Sequence, residues 1–462
     1  MSARVQQVAA PVVAPVPAEF FRPRQLRARL AWIALLTVLV SATGWMTCRM
    51  YANVVQTIGK DTVPSIVAAE KIRTTIADAH AQLIDAFLAD SDKERLDSMS
   101  AFEASIAQAD GYLTDASQNI TYGDEERVPI LEVLGGLSAY DRLAGAAFAL
   151  RQSGTSAASL ASADALVRDK ILPAASALDT ANFAHMNQAY TTGQSTARLW
   201  LLCFVGTGLI LGVILLETQV RLKLEFRRIV NPAIAIGFLT LLAGVGLYAV
   251  KADRVVADLH TAKVDAFDSV HALAKALALA YQANAQESVY LLEHGQAQAQ
   301  GLESSRFIAT AAQLATPQLL ALGPRLKVSD LATLPAHGGL LGDELANITF
   351  DGEDAAARAT LAAWTEYAKI DAQIRTLEST NRHAEAVALC RGTQPGQSDG
   401  AFNVFTANLQ RTSVINQVEF DAAIDRASRD VRWLWMLLIP IGLGPILGSA
   451  VGLQQRINEF RE

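Results

Sequence analysis

The chain has 462 residues, 51% of them apolar and only 18% charged, with a formal net charge of −7. A mean hydropathy of +0.22 with so few charges points to a membrane protein. The acidic balance argues against a nucleic-acid partner, and three cysteines, Cys48, Cys203 and Cys390, are too few and too scattered for a disulfide scaffold.

Residues 1–29 begin with a Pro/Ala/Val-rich tail containing AAPVVAPVPAEFFRP, a composition that predicts disorder. The charge-free run 30–46 follows without an A-x-A cleavage pattern after it, so the span 30–48 reads as an uncleaved signal anchor. Three further runs, 199–216, 233–250 and 433–453, approach the ~20 residues that cross a bilayer core and place spans at 199–216, 233–250 and 432–453. Basic residues set the orientation. Arg22, Arg24, Arg27 and Arg29 precede the first span, and Arg456 and Arg461 follow the last. The turn 217–232, ETQVRLKLEFRRIVNP, carries Arg221, Lys223, Arg227 and Arg228. Lys and Arg are retained on the cytoplasmic face, so tail 1–29, turn 217–232 and tail 454–462 are expected inside a bacterial plasma membrane. Regions 49–198 and 251–431 are then outside.

Both outside regions are Ala-rich, with long stretches free of Pro and Gly, which favours helices. Breaks are expected near 90–93, 119–123 and 154–156 in the first region, with Pro173 a further kink. In the second they fall at Gly295, across 316–342 and at 391–400. Phe267, Val270, Ala274, Leu277, Tyr281, Asn284, Ser288 and Leu291 make a heptad seam. The expected fold class is an all-α membrane protein: four transmembrane helices and two extracytoplasmic up-down four-helix bundles continuous with the spans. The two regions read as a duplication. AHAQLIDAFLADS (79–91) aligns with ANAQESVYLLEHG (283–295), and NITYGDEE (119–126) with NITFDGED (347–354), the second copy holding an insertion at 316–342.

The Asn-Ile-Thr blocks have helix-cap spacing, with Thr121 before Asp124 and Asp351 before Asp354. The seam turns polar at Tyr281, Asn284 and Ser288, and the matching levels of the first region include Glu70, Arg73 and His80. Polar seam residues either fix register or line a small polar pocket, so Tyr281, Asn284, Ser288, Arg73 and His80 are the candidate ligand residues. A rival seam, Ile72, Ile76, Ala79 and Leu83, would turn Arg73 away. Seven dispersed histidines lack zinc-site spacing, and no nucleotide-binding or nucleophile motif is present. No cofactor, metal or catalytic residue is therefore expected. The spans carry no ionisable residue, which argues against transport, and their Gly208/Gly212, Gly444/Gly448 and Gly448/Gly452 pairs read as close helix packing.

A helical bundle whose end helices continue into the membrane resembles the ligand-binding domains of bacterial chemoreceptors and sensor kinases. AYQANAQESVYLLE (280–293) and NITFDGEDAAARATLAAWTEYAKID (347–371) are also similar to the four-span membrane component of the actinobacterial glutamate/aspartate sensing system. That resemblance implies an extracytoplasmic solute-binding protein as one partner and a cytoplasmic Ser/Thr kinase as another. The inside segments are too short to fold alone. The expected function is therefore a non-enzymatic receptor that senses a small polar ligand or a solute-binding protein and relays to a separate cytoplasmic signalling protein. Arg221, Lys223, Arg227 and Arg228 are the candidate docking residues, and a homodimer is compatible with this reading. An envelope scaffold and an accessory transporter subunit are the alternatives.

Overall fold

A computed structural model describes residues 23–89, 91–151, 155–226, 230–323 and 326–459. Among these every regular element is helical, and four helices are long and apolar enough to cross a membrane. Two compact units result. One contains the spans, from residues up to 49, 196–253 and 431 onward; the other contains 50–195 and 254–430.

The span unit is built from α1 (Pro23–Gln56), the later part of α6 (Leu172–Phe226), the start of α7 (Pro232–His260) and the end of α15 (Ser398–Glu459). Without a hydrophobic drive between helices in lipid, close backbone approach has to hold them. Glycines supply it: a Cβ on Gly237 would lie 2.9 Å from the Gly444 carbonyl oxygen, and one on Gly448 2.5 Å from that of Ala233. Gly208 and Gly212 lie against Val245 and Phe238 of α7. The small-residue pairs are thus packing sites. Polar atoms bond between helices: Tyr248 donates to the Gly44 carbonyl at 2.7 Å, and Asn231 both caps α7 and donates to the Gly452 carbonyl at 3.1 Å. Pro440 and Pro445 leave α15 unbroken.

In the helical unit, α1 passes through a π-helical turn, Thr57–Thr62, into α2 (Val63–Leu88). Then come α3 (Asp92–Gln118), α4 (Asp124–Leu150) and α5 (Ala157–Leu166), and a second π-turn at Val167–Ile171 leads to α6. The expected breaks coincide with these helix ends, and the π-turn occupies the place of the kink expected near Pro173. The second half also begins with a π-turn. α7 passes through a π-turn, Thr261–Phe267, into α8 (Asp268–Leu292), followed by α9 (Ala297–Leu314). Short helices α10 (Pro317–Leu322), α11 (Val328–Leu331) and α12 (Leu340–Ala346) fill the Pro/Gly-bearing segment. α13 (Glu353–Ser379), α14 (His383–Cys390) and α15 complete it. The break at 380–382 has no Pro or Gly to announce it; Asn381 supplies the left-handed residue, φ 57°.

Each half has an apolar core. Ile72, Ile76, Ala79 and Leu83 of α2 pack with Phe102, Val133, Leu137 and Tyr140 in the first, so the rival seam is the one that faces this core. Trp364, Tyr367, Phe402 and Phe405 anchor the second, which also takes in Leu88 of α2. α2 and α8 pack along one another, so the two cores share a wall.

Charges are buried in that wall. His271 lies 2.7 Å and Lys275 3.3 Å from Asp179, and Arg73 reaches Glu70 at 3.4 Å and donates to the Lys275 carbonyl at 3.2 Å. Burial alone would raise Asp179, but the hydrogen bond and charge of His271 and the ammonium of Lys275 hold it below the ordinary range. Burial pushes Glu70 up to about 7, against the pull of Arg73.

The two Asn-Ile-Thr turns are built alike. Glu126 accepts from the N–H groups of Thr121 and Tyr122 at 2.6 and 2.7 Å; Glu353 accepts from those of Thr349 and Phe350 at 2.7 and 2.9 Å. The capping acid is therefore the glutamate, not Asp124 or Asp354. The asparagines reach further. Asn347 donates to the Val264 and Asp265 carbonyls at 3.0 and 3.1 Å and to Ser269 at 3.0 Å. Those carbonyls belong to a π-turn, whose wide spacing leaves acceptors that α geometry would occupy. Asn119 donates to Ser65 at 3.4 Å. Ser65 and Ser269 are 204 positions apart, the offset of the first aligned block.

Asp179→Ala takes from buried His271 its partner at 2.7 Å and leaves Glu70, at 4.0 Å, as the nearest carboxylate, so it should cost about 1–3 kcal/mol; a melting temperature within a degree of wild type in detergent would contradict this. Asn347→Ala removes three donor contacts at the π-turn and should cost about 1–3 kcal/mol, with faster amide exchange localised to 261–269.

Candidate functional site

Where α2, α3, α8 and the start of α15 meet, a cavity of about 510 Å³ opens. Asp78, Gln82 and Asp85 enter it from one face of α2, at spacings of four and three. Glu94 and Asp97 come from α3, Tyr281 and Asn284 from α8, Arg391 from the connection after α14, and Asp399 and Phe402 from the first turns of α15. Five carboxylates thus face one guanidinium. Arg391 donates to Glu94 at 2.9 Å, joining the two halves across the cavity.

The carboxylates differ in state because their surroundings differ. Glu94 is exposed, and its hydrogen bond to Arg391 holds it below the ordinary range. Asp399 is pushed up to about 8, first by burial and then by the negative Asp85, against the pull of Arg391. Burial raises Asp85 to about 6 although Ser288 donates to it at 3.0 Å. Asp78 is raised by burial while Ser105 donates to it at 3.1 Å. At neutral pH Asp399 therefore holds a proton that a cationic group could displace.

Beneath the cavity lies a second polar layer. Ser398 donates to Glu287 at 2.6 Å, and Arg375 grips Asp371 with two bonds of 2.8 Å. Burial, and then Asp371, push Glu287 well up from the ordinary range. Cys390 lies 3.7 Å from Ser288, and burial raises its thiol far above the reactive range.

The structure separates the five seam residues. Tyr281 and Asn284 line the cavity; Ser288 is buried one turn on, bonded to Asp85. Arg73 lies in the α2–α8 wall and borders a different cavity with Lys275, Arg168 and Asp179. His80 is enclosed, 3.1 Å from both the Tyr140 hydroxyl and Asp164. Burial would raise Asp164, but His80 and Arg168 outweigh it and hold its carboxyl low. Asp78, Asp85, Arg391 and Asp399 were not anticipated, although the face shared by Asp78, Gln82 and Asp85 was visible as a polar stripe. In the span unit, Arg221 is exposed at the end of α6 and paired with Glu217 at 2.7 Å, and Lys223 is exposed. Arg227 and Arg228 lie outside the described residues.

Residues 54–191, from the end of α1 into α6, match the model of a family described as an actinobacterial sensor domain. That stretch is similar to a sensor. It contributes α2 and α3, and hence Asp78, Asp85, Glu94 and Asp97, to the cavity. No curated protein and no solved structure matches the chain.

The pH dependence follows from the raised acids. Asp85, Glu70, Asp399 and Glu344 have folded values of about 6, 7, 8 and 8, above their unfolded ones near 4. Their contribution to stability is full below about pH 4 and is lost as pH rises through 6 to 8. The protein in detergent should melt at a higher temperature at pH 5.5 than at pH 8.5, and Asp399→Asn should flatten part of that slope. A melting temperature that climbs with pH over this range would contradict the assignment.

Proposed function

We propose that the protein is a non-enzymatic membrane sensor. Its helical unit takes a small ligand bearing an ammonium group, presented free or by a solute-binding protein, and the signal passes to a separate cytoplasmic partner. The observation that carries this reading is the acidic cavity set against a sensor-domain match. An ammonium group suits the charge of Asp85 and displaces the proton of Asp399, and a ligand carboxylate suits Arg391, whose present partner Glu94 is exposed. Bundle sites between helices commonly have this form, an apolar wall with a few convergent polar groups; here Phe402 and Tyr281 make the wall, with ring centroids 5.0 Å apart.

Relay is supported by continuity of elements. Asp399 stands in the first turn of a 62-residue helix that also carries the fourth span, so a load at the cavity is applied to that helix directly. In this reading regions 49–198 and 251–431 are duplicated and extracytoplasmic, and both termini and the turn 217–232 are cytoplasmic. The exposed Arg221 and Lys223, with Arg227 and Arg228, are the docking surface for a signalling protein such as a Ser/Thr kinase.

The test is a thermal-shift screen of the full-length protein in detergent at pH 7.5 against amino acids and simple amines. A ligand at 100 times its dissociation constant should stabilise by about 2.7 kcal/mol. The shift should vanish in Asp85→Asn/Asp399→Asn, and Arg391→Ala should abolish it for zwitterions while sparing simple amines. No shift with any amino compound, together with no capture of a solute-binding protein from the native envelope, would remove the reading.

A further inference from the structure

At another place in the helical unit, three turns converge on one carboxylate. Glu378, near the end of α13, has a side chain only 3% exposed. His294, in the turn after α8, places Nδ1 2.5 Å from Glu378 Oε1; His383, the first residue of α14, places Nδ1 2.8 Å from Oε2. The two imidazole rings stack with centroids 4.0 Å apart. Gln300 of α9 donates to the same carboxylate at 3.0 Å and to the Tyr290 carbonyl at 3.2 Å.

We propose that His294, His383 and Glu378 form a binding site for a divalent first-row transition cation of the zinc type. Two imidazole nitrogens and one carboxylate are the donor set that such ions take when a fourth position is left to water. The donor atoms already lie within 4.8 Å of one another, so small side-chain rotations bring them to the ~2.0–2.1 Å that zinc requires.

Three donors from three separate segments converge on this carboxylate, and two further features separate the cluster from an ordinary hydrogen-bonded acid. Among the described residues no lysine or arginine pairs with Glu378, so its charge is available to a cation. Gln300 supplies the outer hydrogen bond that orients a ligating carboxylate. The other cluster of comparable donors, Glu70, Asp179 and His271, lacks this freedom, because Arg73 and Lys275 already neutralise it. His294 and His383 are partly exposed, which gives the ion a way in. Occupancy would add a coordinate tie between the end of α8 and the α13–α14 turn, which the stacked rings and Glu378 already bring together.

The test uses full-length protein purified without a histidine tag, stripped with a chelator and held in detergent. Zinc titrated against a competing chelator at pH 7.5 should show one tight site per chain, and cobalt should give the visible bands of a low-symmetry nitrogen/oxygen site. His294→Ala/His383→Ala should lose the tight site. Gln300→Ala should weaken it about 10- to 100-fold. Zinc should raise the wild-type melting temperature at pH 7.5 and do so less at pH 5.5, because protons compete with the metal for its ligands. This last comparison needs no variant, so it decides even if the double substitution misfolds. Unchanged zinc affinity in a folded double variant, or wild-type melting indifferent to zinc at pH 7.5, would overturn the proposal.

Discussion

The packing of α2 against α8 is the constraint on which the helical unit depends. Each is the first helix of its half, and each must serve two neighbours: its own core and the other helix. That demand is met by small residues, Ala69, Ala77, Ala276, Ala280 and Ala283 among them, all buried. It is also met by a charged set, Glu70, Arg73, Asp179, His271 and Lys275, placed where apolar packing would have been simpler. Buried ions of this kind contribute little net stability but penalise wrong pairings heavily. A half that docked in another register would leave His271 without Asp179, and Arg73 without the Lys275 carbonyl. The acidic cavity is a product of the same pairing, since Asp78 and Asp85 come from α2 and Tyr281 and Asn284 from α8.

Much of the architecture was legible in the residues. Apolar runs located the spans, and Gly295 and the Asn-Ile-Thr blocks located turns that the structure places there. What was hidden had physical causes. α2 is buried on two sides, so its pattern supported two seams at once; Ile72, Ile76, Ala79 and Leu83 take one side and Arg73 the other. The break before His383 rests on a left-handed asparagine, a choice composition does not announce. The capping acids stand one or two positions from the expected ones, because two acids lie side by side in each first turn and spacing alone does not choose between them.

The candidate site was legible only in part. Tyr281 and Asn284 stood out because they interrupt an apolar seam. Asp399 and Arg391 did not, since a turn rich in Gly and polar residues gives no reason to place them opposite Asp85. Their convergence is tertiary. The same holds for His294 and His383, 89 positions apart and without zinc-site spacing along the chain.

The π-turns at Thr57–Thr62 and Thr261–Phe267 carry a further consequence. Each holds one residue more than α geometry needs within its turn, and an α-helix advances about 100° and 1.5 Å for each residue. Absorbing that residue, or passing it along, would swing the side chains downstream through roughly a quarter-turn while lengthening the helix hardly at all. Asn347 is bonded to two carbonyls of the second of these turns, so a rotation of that kind there would have to break those bonds.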